Sequence, residues 1–206
     1  MSARHNAPVP PLPPVPGVAD GEFQPAGSSI LDLLHQEHQA LLRLCDAAGT
    51  GGPVRQVIVA EACRHLSTEA QYLYPALRAS APAVGDMAEL GLAQDVRLLV
   101  ALQRLQRADG HPAEQHPAMA EVVDLLRDHV GRIDRRLAPA LAAACTGTEL
   151  VRLGNRAQVV REAAPTRPHP TLPVAATVRK LVDPAVGAAD KLVDLLTARP
   201  TRSQDL

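Results

Sequence analysis

Apolar residues recur every three to four positions over four stretches between residues 29 and 146, the period of a helix with one buried face. In "SSILDLLHQEHQALLRLCDAAG" the face is Leu31, Leu34, His38, Leu41 and Cys45, with Ser29 placed as N-cap, Asp32 in the first turn and Gly49 at the close. A second helix opens at Pro53, runs to about residue 79, and carries Ile58, Ala62, His65, Glu69, Tyr72 and Ala76 on one side. The third, roughly 83 to 108, has Gly91, Asp95, Leu98, Leu102 and Leu105. "DGHPAEQHP" then breaks the chain, and a fourth helix of roughly 118 to 145 carries Val122, Leu126, His129, Ile133, Leu137 and Ala140. Four such helices joined by short Gly/Pro breaks predict an all-α protein, an up-down-up-down four-helix bundle.

The flanks read differently. Residues 1–27 are Pro-, Gly- and Ala-rich, with the run "PVPPLPPVP", and predict a disordered or polyproline II tail. The bundle is assigned to 28–147. In a C-terminal extension, 148–206, "ELVRLGNRAQVVREAA" reads as a helix packed on the end of the bundle, "PTRPHPTLP" as a linker, and "DPAVGAADKLVDLLTAR" as a last short helix.

Composition narrows the core and the partners. Aromatic residues are 1% of the chain against 46% hydrophobic, so Leu, Val, Ile and Ala must fill the interior, which suits interdigitated helices. A net charge of -1 offers no electrostatic footprint for nucleic acid or anionic lipid. Cys45, Cys63 and Cys145 are odd in number and form no C-x-x-C pair, so they read as buried thiols of a reducing compartment. With no signal-peptide run and no membrane-length apolar stretch, the expectation is a cytoplasmic protein.

Polar residues inside the apolar stripes carry the chemistry. Burying an imidazole or a carboxylate without a partner costs several kcal/mol, at least about 2. Yet helices 1, 2 and 4 each place a His in the stripe, and Glu69 follows His65 at i+4, on the same face. Four such groups at mid-bundle must either bond one another or coordinate a cation, and imidazole with carboxylate suits iron, manganese or zinc. "HLSTEAQYLYPAL", residues 65–77, also echoes "HVGRIDRRLAPAL", residues 129–141. Pro75 and Pro139, each ten residues after its His, are expected to kink or end helices 2 and 4 at matching heights and so set His65 and His129 at similar depth.

"EHQALLRL", "HLSTEAQYLYPAL" and "HVGRIDRRLAPALAAAC" together resemble the hemerythrin-like HHE cation-binding family, over about residues 29–146, and "APTRPHP" at 164–170 resembles a phrase that follows such domains. The resemblance implies a pair of irons bridged by two carboxylates, with dioxygen or nitric oxide binding, redox sensing, or iron and peroxide handling as the role. It implies His38 and His65 on one iron, Glu69 as a bridge, and His129 on the second iron. Asp134 matches the H-x-x-x-x-D form of the second bridge, whereas Ile133 breaks the H-x-x-x-E form. Helix 3 has no histidine where the family has one or two; Asp95 there can either stand in as an oxygen ligand, swing to the bundle edge or bond a neighbour. The expected centre is therefore an incomplete diiron site, with a 2-His-1-carboxylate set kept at the first iron.

His35, one turn before His38, can supply a further nitrogen but reads first as a solvated edge residue, and His111, His116, His169 and His5 read as surface residues of loops and tails. No general acid/base pair or substrate pocket is visible, so an enzyme is not the favoured reading. The alternative is a metal-free bundle that lost its ligands and serves as an interaction or regulatory module.

Overall fold

The computed structural model describes residues 25–47, 52–170 and 183–206, and these are helical with no strand among them. Expectations for residues 1–24, for Gly49 and for 171–173 lie outside the described residues. Helix α1 is Ile30–Asp46, started by Ser29, whose hydroxyl accepts from the Asp32 amide at 3.1 Å. Helix α2 (52–80) consists of Gly52–Thr68, a π turn Glu69–Leu73 and Tyr74–Ser80. After a 3-10 turn, Pro82–Val84, comes α3, Gly85–Arg107. Helix α4 (112–144) again has three parts, Pro112–Arg132, a π turn Ile133–Leu137 and Ala138–Ala144.

The prolines act otherwise than the sequence suggests. Neither Pro75 nor Pro139 ends its helix; each follows a π turn that starts four residues after the histidine. Proline has no N–H for the i−4 carbonyl, and its ring crowds that carbonyl. Widening the turn resolves both: the Tyr74 amide bonds the Glu69 carbonyl and the Ala138 amide bonds the Ile133 carbonyl, five residues back. The extra residue also turns the helix, so the buried face moves from the expected Tyr72 and Ala76 to Leu73 and Leu77, and from Ala140 to Leu141. The start of α4 differs as well. Pro112 takes the first helical position, and Pro117 lies inside, so His116 is a helix residue.

α1 packs on α2, α2 on α3, α3 on α4 and α4 on α1, closing a ring around the core. The core is split in two. One cluster holds Leu41 and Leu44 of α1, Val57 and Leu66 of α2, Leu102 of α3 and Leu126 of α4. The other holds Leu34, Leu73, Leu77, Ala88, Ile133 and Leu141. Buried polar side chains lie between them.

Helix α5, Gly147–Ala163, starts with a capping box of Thr146 and Glu149 and lies along α1 and α2, with Leu150 and Ala157 joining the second core cluster. Its approach is close: a Cβ on Gly154 would come within 2.1 Å of the Ser28 carbonyl. This second layer explains why α2 buries Arg64, Ser67 and Thr68, which its stripe would leave outside. Helix α6, Pro184–Leu196, is capped by Asp183 and buries Gly187, Asp190 and Asp194, while Leu192, Leu195 and Leu196 are exposed.

Candidate metal centre

Three imidazoles and one carboxylate meet between the two core clusters. His38 comes from the middle of α1, His65 and Glu69 from adjacent turns of α2, and His129 from α4, all with 2% exposure or less. The Nε2 atoms of His38 and His129 each lie 3.1 Å from Nε2 of His65. Glu69 Oε1 is 3.3 Å from His65 Nε2 and 3.7 Å from His38 Nε2, and Oε2 is 3.3 Å from His129 Nε2. One donor atom from each of the four residues fits within 4.8 Å of the others. The rings meet edge to face, with centroids 4.7 to 5.6 Å apart.

Each imidazole is held from behind by a carboxylate. His38 Nδ1 faces Asp134 Oδ1 at 2.7 Å, His65 Nδ1 faces Glu37 Oε2 at 2.7 Å, and His129 Nδ1 faces Asp95 Oδ1 at 2.9 Å. A carboxylate is an acceptor, so each Nδ1 carries a proton, and each Nε2 faces inward, able to offer its lone pair to a cation once any proton there is displaced. The carboxylates are themselves fixed. Asp95 accepts from the Tyr74 hydroxyl at 2.5 Å and from Arg132 Nη2 at 2.9 Å. Glu37 pairs with Arg161 Nε of α5 at 2.6 Å. Asp134 is less enclosed and touches His35, itself 57% exposed, at 3.3 Å.

Glu69 is the exception. Both its oxygens are fully buried and neither receives a hydrogen bond among the described residues. An ionised carboxylate left so is costly, and the Nε2 lone pairs of His38 and His129, each 3.1 Å from that of His65, would repel it, so this arrangement calls for positive charge at its centre, from a cation or from protons on the imidazoles. Burial pushes the Glu69 carboxyl up, but His129 and His65 outweigh it and hold it well below the usual range. Burial pushes His65 and His129 down, and attraction to Glu69, with the Glu37 and Asp95 contacts, overcomes this to give about 10 and about 9. For His38 burial wins and the value falls.

Of the expected site residues, His38, His65, Glu69 and His129 come together in one cluster. His129 meets the other Glu69 oxygen, Oε2, and Asp134 sits on the outer side of His38 rather than facing Glu69. Asp95 likewise lies behind His129. Glu37 and Arg161 went unrecognised. Glu37 precedes His38 and falls off the apolar stripe, and its burial depends on α5, which no periodicity in α1 announces. His169, expected as a plain surface residue, is half-buried and bonds Asp190 at 2.9 Å. The linker is tied down at the same place: the Thr166 and Arg167 amides donate to Asp190, and Arg167 and Arg199 pair with Asp194 at 2.7 and 3.0 Å.

No described helix is long and apolar enough to cross a membrane. The family model of the hemerythrin HHE cation binding domain matches residues 29–141, more than half of the chain. No curated protein and no solved structure matches.

Proposed function

The chain belongs to the hemerythrin HHE cation-binding domain family, and we propose that it binds a single transition-metal ion through His38, His65, Glu69 and His129. The observation that carries this reading is the Glu69 carboxylate, buried, without a hydrogen-bond donor and facing three imidazole Nε2 atoms. Imidazole nitrogens backed by carboxylates are the usual form of a protein metal site, because the outer acceptor fixes the tautomer and raises the basicity of the ligating nitrogen. In this reading Asp134, Glu37 and Asp95 are those outer acceptors, and Asp134 is a support of His38 rather than a ligand. The three-nitrogen, one-oxygen set fits iron, the metal that the resemblance implies, and is also compatible with manganese or zinc.

The bound ion would supply a Lewis-acidic centre, and iron would add a one-electron couple. The residues supply the rest: Glu69 offsets part of the cation's charge, and the two apolar clusters wall off bulk water above and below. Dioxygen or nitric oxide is the small ligand of this reading, and sensing or iron and peroxide handling its setting. The split of the core also supports the alternating up-down-up-down course. It joins the late part of α1 to the early part of α2, and the late part of α3 to the early part of α4.

The deciding experiment is metal stoichiometry by mass spectrometry on protein expressed with added iron, with a visible spectrum before and after nitric oxide. About one ion per chain supports the reading. Two irons with oxo-bridge bands would restore a diiron centre, and no metal under any loading would leave a bundle that serves as an interaction module.

A further inference from the structure

We propose that Arg161, on a helix beyond the segment matched by the family model, is a positioning residue of the metal centre, acting through Glu37 on His65. The inference rests on the reading of the histidine cluster as a metal site. Of the three carboxylates that back the imidazoles, Asp95 is locked from within the bundle by Tyr74 and Arg132, and Asp134 sits at its edge. Glu37 is held from outside by an ion pair rather than an aligned hydrogen bond: Arg161 Nε lies 2.6 Å from its Oε1, while Oε2 takes the His65 Nδ1 contact at 2.7 Å. One carboxylate oxygen thus serves the imidazole and the other serves the arginine.

Glu37 needs such a lock because it has somewhere else to go. A cavity of about 270 Å³ opens beside it, lined by Leu33, Leu41, Leu44, Glu61 and Arg161 and rimmed by Ser203 near the C-terminus. Without the cation, the carboxylate is free to rotate into that space and take water. His65 would then lose the acceptor that keeps its proton on Nδ1, and Nε2 would no longer be held as an inward lone pair. Arg161 itself is fixed by a second partner, Glu61 Oε2 at 2.6 Å, and its helix is seated by the close approach of Gly154 to Ser28. The helix that follows the bundle is therefore part of the site's architecture.

The test uses the full chain with Arg161→Met, which removes the charge and keeps the bulk, and Arg161→Lys, which restores the charge. Affinity for zinc(II), by competition with a chromophoric chelator, should weaken about 10- to 100-fold in Arg161→Met and recover in part in Arg161→Lys. The ligand-field spectrum of the cobalt(II)-loaded protein should shift in the first variant and return toward wild type in the second. In metal-free protein, proton NMR should find the His65 Nδ1–H shifted downfield and slow to exchange in wild type, as its Glu37 contact requires, and exchanging with water in Arg161→Met. A folded Arg161→Met chain with wild-type affinity, spectrum and His65 Nδ1–H signal overturns the proposal. If wild type takes up no metal, the reading of the centre fails, and the Nδ1–H comparison still decides the role of Arg161. Should Arg161→Met not fold, Arg161→Gln serves for the same measurements, with a smaller loss expected.

Discussion

Two buried clusters of acids, histidines and arginines stand out among the described residues, and in only one of them is a carboxylate left with no hydrogen-bond donor on either oxygen. In the bundle, Glu69 receives no hydrogen bond among the described residues, and three imidazole Nε2 atoms crowd around it. At the C-terminal side, Asp190 accepts from the Thr166 and Arg167 amides and faces His169, and Asp194 accepts from Thr166, Arg167 and Arg199. Both clusters would attract notice as patches of ionisable side chains. In the clasp every carboxylate oxygen is met by a donor, which holds the 164–170 segment on α6. In the centre Glu69 goes unmet, and the missing charge is what the proposed metal would supply.

The largest effect that separates them is on metal content. Glu69→Ala or His65→Ala removes a proposed ligand from the one place where three others converge, and bound metal should fall from about one ion per chain to none. Thermal stability should then no longer respond to added metal, since an ion stabilises only the state that binds it. Asp194→Ala should do the reverse. It strips Arg167 and Arg199 of their shared acid and should cost about 2–3 kcal/mol, while the folded variant keeps its metal. Metal loss in folded Asp194→Ala, or its retention in Glu69→Ala, would erase the distinction.

Acid and base should divide the clusters next. His65 and His129, raised to about 10 and about 9, hold protons in the metal-free chain because Glu69 attracts them. Both values lie above the unfolded 6.5, so the stability they contribute is fully present below pH 6.5 and is lost as pH rises through 9 and 10. A bound cation must displace those protons. Metal affinity should therefore climb with pH across the same window, with about two protons released per ion near pH 7, read by titration in buffers of differing ionisation heat. Asp194 behaves oppositely. Burial raises it, but the Thr166 and Arg199 bonds hold it below 3.8, so its contribution is present above pH 3.8 and fades only as pH falls through the depressed value. A metal affinity flat from pH 6 to 9 would contradict the account of the centre.

Much of the centre was legible because helical period and chemistry coincide there. His38, His65, Glu69 and His129 each interrupt an apolar stripe, and a stripe position is a core position whatever the partner. The π turns were not legible as such. Pro75 and Pro139 signalled a local break, but whether a helix ends or widens depends on packing on both sides of the proline, and here Leu73, Leu77, Ile133 and Leu141 keep both segments in the core. The outer acceptors were least legible. Asp95 on the stripe suited a ligand as well as a support, and only the position of His129 in front of it decides its place. Glu37 and Arg161 lie 124 positions apart on faces that look solvent-exposed until α5 is laid over α1.

The smallest effect belongs to the third support. Asp134 backs His38 at 2.7 Å, as Glu37 backs His65, yet its own partner is His35, 57% exposed and 3.3 Å away. An exposed pair of this kind is screened by water and contributes little, about 0–1 kcal/mol, whereas a partner inside the protein has no water to replace it. His35→Ala should therefore change stability by no more than about 0.5 kcal/mol, and zinc affinity by about twofold at most, because water takes over the freed Asp134 oxygen. Asp134→Ala removes the acceptor itself, frees the His38 ring to exchange tautomers, and should weaken zinc binding about 10-fold. The ordering is the point of the experiment: the acceptor matters more than its exposed neighbour. If His35→Ala weakens zinc as much as Asp134→Ala does, then His35 takes part in the centre directly, and the boundary drawn between ligands and supports on the α1 side is misplaced.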